Sequence, residues 1–228
     1  MLVRNWMSKS VITINQDDYI SKAIRLMEEN NIRMLPVMEK EKMVGIVTER
    51  DLKSASASGI AILNVDKVRS LINKTKIKEI MTKDPVTIPW DLTIEEVSEI
   101  LLFNKIPGVP IMGNKGNLKG IITQTDLFRA LISLTGIAKR GIQIGVLIKD
   151  RFRTIREIVH TIQKYGGRMV SILSTYNRAR EGYRQVYIRF YGMDRTNLPI
   201  LKEEIREKAT MLYIIDQKQN KREFFFNL

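Results

Sequence analysis

The sequence predicts an α+β chain in two unlike parts: two β-α-β-β-α repeats, then a β-α-β-β-α-β module. Three observations predict it. The segment MSKSVITI at 7–14 returns as MTKDPVTI at 81–88, an offset of 74 residues. The segment GIVTERDL at 45–52 returns as GIITQTDL at 120–127, one inserted residue having moved the offset to 75. Charge is the third. Residues 1–136 hold 19 Lys+Arg against 16 Asp+Glu, a net of +3, whereas 137–228 hold 19 against 9, a net of +10. A repeat confined to one half, with a charge step at its end, marks two modules with different surfaces.

Within each repeat the elements run in the same order. A short extended piece comes first, at 11–14 and 86–88. Ile20, Ala23, Ile24 and Met27 then fall on one helical face, as do Ile94, Val97, Leu101 and Leu102. Asp17 and Asp91 stand where a helix N-cap is expected. Two strands follow, at 34–38 and 43–47, then at 109–112 and 118–122, the second pair joined by the hairpin signal GNKGN at 113–117. A second helix starts at Glu49 or Gln124, and 53–80 joins the units. Each unit is too short to bury a core alone, so two of them packed sheet against sheet form the expected folding unit.

From Gly141 the pattern changes. An apolar strand spans 142–148, and Ile155, Ile158, Val159 and Ile162 give a helical face that Gly166-Gly167 ends. Strands at 169–173 and 185–191 flank a polar loop at 175–183. Leu198, Leu201 and Ile205 mark a helix from Asp194, and a strand at 211–215 closes the module. This is the ferredoxin-like order. Residues 218–228 read as a mixed tail whose Phe224, Phe225 and Phe226 are expected to pack on their own chain. The expected domains are 1–136 (repeats at about 7–53 and 81–133), 137–217, and the tail 218–228.

Composition excludes several chemistries. Cysteine is absent, which removes disulfides, thiolate metal sites and thiol nucleophiles. Histidine occurs once, at His160, and reads as a surface residue. No apolar run of about 18 residues suggests a membrane span, and residues 1–10 lack the apolar core of a signal peptide. A cytoplasmic location is the expectation. No nucleophile pairs with a base, so no catalytic residue is assigned.

The pattern Gly-h-h-Thr-x-x-Asp, h being apolar, occurs at 45–51 and at 120–126. Glycine in a strand allows a backbone or a ligand to approach closely. A threonine hydroxyl at the strand end both donates and accepts, and an aspartate in the first helical turn adds two acceptors. Together they suit the two hydroxyls of a ribose, and the helix N-terminus favours a nearby phosphate, which Arg50 would meet. Thr-x-x-Asp at such a junction is also an ordinary N-cap, and on the residues alone both readings stand.

These motifs, with Asn-x-h-x-x-h-Pro at 30–36 and 104–110, resemble the tandem CBS-domain family, the Bateman module, over about 7–133. The later part resembles an ACT domain in its order of elements, and the whole is similar to the AcuB-type acetoin-utilisation proteins. The resemblance implies AMP, ADP, ATP or S-adenosylmethionine in clefts between the units, with Mg2+ accompanying ATP. It implies Thr48 and Asp51 on one ribose, and Thr123 and Asp126 on the other. Ser10, Val11, Ile12 and Thr13 would flank adenine with backbone groups, as would Asp84, Pro85, Val86 and Thr87. Met34, Leu35 and Pro36, with Gly108, Val109 and Pro110, would form the apolar wall. Lys9, Lys83 and Arg50 are the phosphate candidates, and Thr125 at the place of Arg50 makes the two clefts unequal.

The ACT resemblance implies an amino acid at a dimer interface. The usual Pro-Gly step is here Asp150-Arg-Phe-Arg153, which tells against that ligand. Arg151, Arg153, Arg156, Arg168, Arg178, Arg180 and Arg184 read as a basic solvated face. Nucleic-acid binding and a purely structural dimerisation role are the alternatives. The expected function is regulatory ligand sensing by a homodimer, with an effector protein as a further partner.

Overall fold

The computed structural model describes residues 1–60 and 72–225. It separates into two compact units, Met1–Phe128 and Arg129–Leu228. The first repeat contains β1 (Ile14–Asn15), α1 (Ile20–Asn30), β2 (Met34–Glu39), β3 (Lys42–Thr48) and α2 (Glu49–Ile60). The second contains α3 (Ile77–Ile80), β4 (Thr82–Lys83), β5 (Ile88–Pro89), α4 (Ile94–Asn104), β6 (Gly108–Met112), β7 (Leu118–Thr123) and α5 (Gln124–Thr135).

The sheets do not divide where the repeats divide. One has the order β1-β2-β3-β4, the other β5-β6-β7. β4 comes from the second repeat yet pairs antiparallel with β3 of the first, Thr82 opposite Ile46 and Lys83 opposite Gly45. Reciprocally, Ser8 of the first repeat bridges Ile121 of the second, N–H to carbonyl in both directions at 2.9 and 3.0 Å. The exchange reaches further upstream. Val3 donates to the Leu92 carbonyl at 2.8 Å, and Ile77, 74 residues on, donates to the Asp18 carbonyl at 2.9 Å. Val3 and Ile77 are both fully buried. The sequence reading began the repeats at 7 and 81. The paired turns at Val3 and Ile77 extend the correspondence four residues further upstream, where each carries a single buried apolar anchor.

The capping expectation is corrected. Thr93, not Asp91, caps α4: its hydroxyl accepts from Glu96 N at 3.2 Å, and Glu96 accepts from Thr93 N at 2.7 Å. At α1 the cap position is Tyr19, with no side-chain bond. Asp17 instead pairs with Lys76 and Lys78 across the exchange, at 3.1 and 2.9 Å.

In the second unit, β8 (Ile142–Lys149), α6 (Thr154–Lys164), β9 (Arg168–Thr175), β10 (Tyr183–Tyr191), α7 (Leu198–Arg206) and β11 (Thr210–Asp216) follow the ferredoxin-like order. Their sheet runs β11-β8-β10-β9, antiparallel throughout. Ile144, Val146, Ile188 and Phe190 face Ile158, Ile162, Leu201 and Ile205 in the core. Gly166 adopts φ +80° after α6 while Gly167 N–H bonds the Ile162 carbonyl at 3.0 Å, the turn that the glycine pair announced. His160 is exposed.

The tail reading is corrected as well. Lys221–Phe224 forms β12, which adds a fifth strand beside β11. Phe225 packs on the core and Phe224 is 60% exposed, while Phe226 lies outside the described residues. Asp216 holds this hairpin. Its carboxylate takes Arg195 Nε at 3.0 Å and the N–H groups of Lys218 and Gln219 at 2.9 and 3.2 Å. Burial pushes the Asp216 carboxyl up, but the Arg195 and backbone donors outweigh it and hold the value below the ordinary 3.8. A depressed folded-state value stabilises above 3.8 and that stability is lost as pH falls through the folded value. In acid titrations of unfolding free energy below about pH 4, Asp216→Asn is expected to lose less stability than the parent. An identical acid limb would contradict this assignment.

Candidate ligand-binding site

The two Thr-x-x-Asp junctions fold alike. Thr48 closes β3 and Asp51 lies in the first turn of α2. Asp51 Oδ2 accepts from the Thr48 N–H at 2.8 Å and from its hydroxyl at 2.7 Å. In the second repeat Asp126 Oδ2 accepts from the Thr123 N–H at 2.9 Å and its hydroxyl at 2.8 Å. At the first junction the Asp51 N–H also donates to the Thr48 hydroxyl at 3.4 Å, which completes an N-cap there, and at both junctions the paired bonds hold the carboxylate at a strand end. At Asp51 the second oxygen, Oδ1, accepts no bond from a described residue. Asp126 is more deeply set, at 5% exposed, whereas Asp51 is half-buried.

The repeated glycines make room for the exchange. A Cβ on Gly45 would stand 2.7 Å from Met81 Sδ and 2.9 Å from the Thr82 carbonyl. One on Gly120 would stand 2.7 Å from Met7 Sδ and 2.9 Å from the Ser8 carbonyl. The incoming strand of the other repeat needs that space. Met7 and Met81 open the repeated octapeptide, so their pairing with these glycines was signalled in the sequence but not read from it.

The proposed wall residues separate by face. Leu35 and Val109 are fully buried, Leu35 within the core of the first repeat. Met34 packs with Ile46, Ile121 and Val11, a cluster that draws on both repeats. Its Cε lies 3.0 Å from where a Cβ of Gly108 would be, so Met34 fills the space that its counterpart leaves. This second inequality between the clefts adds to that of Arg50 and Thr125.

Around these junctions, Val11, Ile12 and Pro85 are half-buried, whereas Lys9, Ser10, Thr13, Lys83, Asp84, Val86 and Thr87 are exposed. Pro36 and Pro110 are buried, and Thr125 is exposed. Val11 reaches the Met34 cluster; Lys83 is tied to Gly45. A cavity of about 340 Å3 at the start of α2 is lined by Glu49, Arg50, Lys53 and Ser54. The hydrogen bond from Lys53 holds the Glu49 carboxyl below its ordinary value and pairs it at 2.5 Å. Arg50 has no described carboxylate partner, so its charge remains available. A second cleft, about 570 Å3, is lined by Met7, Trp90, Asn117 and Lys119 among others, and nothing in the sequence pointed to it.

The CBS domain model matches residues 3–58 and 77–133. A CBS domain-containing protein of Dictyostelium discoideum is 33% identical over 135 residues, spanning 59% of this chain and 93% of that protein. A solved structure assigned to acetoin utilization, AcuB from Vibrio cholerae, is 27% identical with a TM-score of 0.51, covering 60% of this chain and 95% of that one. CBSX2 in complex with AMP, at 22% identity and a TM-score of 0.50 over 59% of this chain and 98% of that one, shares the fold. The matched residues contain both exchanged segments and both Thr-x-x-Asp junctions. This chain belongs to the CBS-domain family and carries the domain as a tandem pair.

Proposed function

We propose that the chain is a regulatory sensor of an adenine ligand, AMP, ADP, ATP or S-adenosylmethionine, and not an enzyme. The observation that carries this is the duplicated junction, a carboxylate fixed by two donors at a strand end beside the N-terminus of a helix. In this reading Asp51 Oδ1 and the Thr48 hydroxyl take the ribose, and Arg50 and the α2 N-terminus take the phosphate. Val11, Ile12 and Met34 supply the apolar contact for a base, with Ser10, Thr13 and residues 84–87 at its margins. Mg2+ would enter with ATP alone. Ligand occupancy biases the chain toward one of two states, read out through a homodimer or through residues 137–217, which we assign to the ACT class on their strand order.

Isothermal calorimetry with the four ligands tests this. Micromolar to submillimolar binding of at least one is expected, with unequal affinities at the two junctions. No heat from any of them up to millimolar concentration rejects the reading.

A further inference from the structure

The face of the second sheet turned away from α6 and α7 carries one cross-strand row. Leu173 of β9 lies opposite Tyr187 of β10, Tyr187 opposite Gly145 of β8, Gly145 opposite Tyr213 of β11, and Tyr213 opposite Phe224 of β12. Gly145 is small for a reason: a Cβ there would stand 2.5 Å from the Tyr213 ring, which lies across it. The Tyr187 and Tyr213 rings are 6.1 Å apart and within 22° of parallel. Tyr213 and Phe224 are 6.5 Å apart, and Phe224 is largely open to solvent. Three aromatic rings thus cross three strand spacings, about 14 Å at the usual separation of strands.

Positive charge surrounds the row. A cavity of about 680 Å3 is bounded by Leu147, Tyr187, Tyr213, Gln185 and the loop arginines Arg178 and Arg180, and none of its lining residues is acidic. Neither arginine is ion-paired with a described carboxylate. Arg189, two residues from Tyr187 on the same face, is 3% exposed and is held by Gln143 and Gln217 at 3.0 and 2.6 Å. Its Nε has no hydrogen-bond partner, and no carboxylate among the described residues is ion-paired with it. A purely solvated basic face needs neither aligned rings nor a glycine beneath one of them.

We infer that this sheet face binds single-stranded nucleic acid, bases stacking on Tyr187, Tyr213 and Phe224 and phosphates meeting Arg178 and Arg180. Aromatic rings accept any base by its π-face, and on four-stranded sheets of comparable order two or three bases are taken in this way. A duplex hides its bases and offers charge alone.

The test is fluorescence anisotropy of the full chain with labelled 12-nucleotide RNA and DNA strands and the corresponding duplexes, at 50 and 200 mM salt. Strand binding stronger than duplex binding is expected. With two phosphates contacted, by Arg178 and Arg180, affinity should fall roughly 7-fold across that salt range. Phe224→Ala, at an exposed position, should weaken binding at least about fivefold, the lower end for one stacked base. Arg178→Gln with Arg180→Gln should flatten the salt dependence by about 0.7 per lost contact. Unchanged thermal unfolding and unchanged calorimetry with adenine ligands show that the fold and the CBS pair are intact. The inference is overturned by no strand binding at 50 mM salt, by equal binding of duplex, by binding of mononucleotides alone, or by indifference to these substitutions. The sensor reading stands or falls separately, on the calorimetry.

Discussion

Replacing Gly45 or Gly120 with valine is expected to lower the stability of the CBS pair by about 2 kcal/mol, in the range found for overpacked interiors. For a chain of this size that corresponds to a thermal midpoint about 4–8 °C lower. The cause is the incoming strand. The first added carbon already stands 2.9 Å from the Thr82 or Ser8 carbonyl, and a backbone oxygen cannot turn aside as the methionine sulfur can. Combining Gly45→Val with Met81→Ala should therefore restore only part of the loss. Gly116 is the control. It sits at φ +71° with nothing within 4 Å, so Gly116→Asn should cost little. A Gly45→Val protein that unfolds at the parental temperature would show that the exchanged strand is not packed as described.

The second large effect is expected on binding. Asp51→Ala removes the acceptor of two hydrogen bonds at 2.7 and 2.8 Å and the free oxygen beside them. Loss of the cap costs about 1 kcal/mol of stability. Loss of a charged acceptor for a ribose costs about 1.5–3 kcal/mol of binding, roughly 10- to 150-fold in affinity. Asp126→Ala should act likewise at the other junction, with the larger stability cost because that carboxylate is nearly buried. Calorimetry on each variant should lose one site and keep the other. Equal weakening of both sites by either substitution would reject two separate clefts.

Much of this was legible in the sequence because duplication repeats local signals. The strand pair and helix of each repeat, the GNKGN hairpin and the Gly166-Gly167 stop are decided by residues near one another in the chain. What escaped is non-local. Asp17 looks like a cap, yet its partners Lys76 and Lys78 arrive from the other repeat. Asp91 also looks like a cap, yet Thr93 is the cap, with Glu96 three residues later as the signal of a capping box. β12 is exposed along its length and gains its identity from the register of β11 and the turn at Asn220, φ +52°, not from an alternating pattern of its own. At the candidate site, the Thr and Asp positions could be read directly. The Met34–Gly108 complementarity could not, since a glycine in one repeat where the other has methionine looks like ordinary divergence until the two meet at 3.0 Å.

The reciprocal exchange between the repeats has a consequence for how the pair assembles. Two separate repeats making the same contacts would have to find each other at their bulk concentration, and would part on dilution. Carried on one chain, they meet at an effective concentration set by the connecting segment, which for short tethers is of millimolar order. The bonding of Ser8 with Ile121, and of Thr82 beside Ile46, is thereby a unimolecular event. A pairing with the geometry of a strand-swapped dimer persists however scarce the protein becomes.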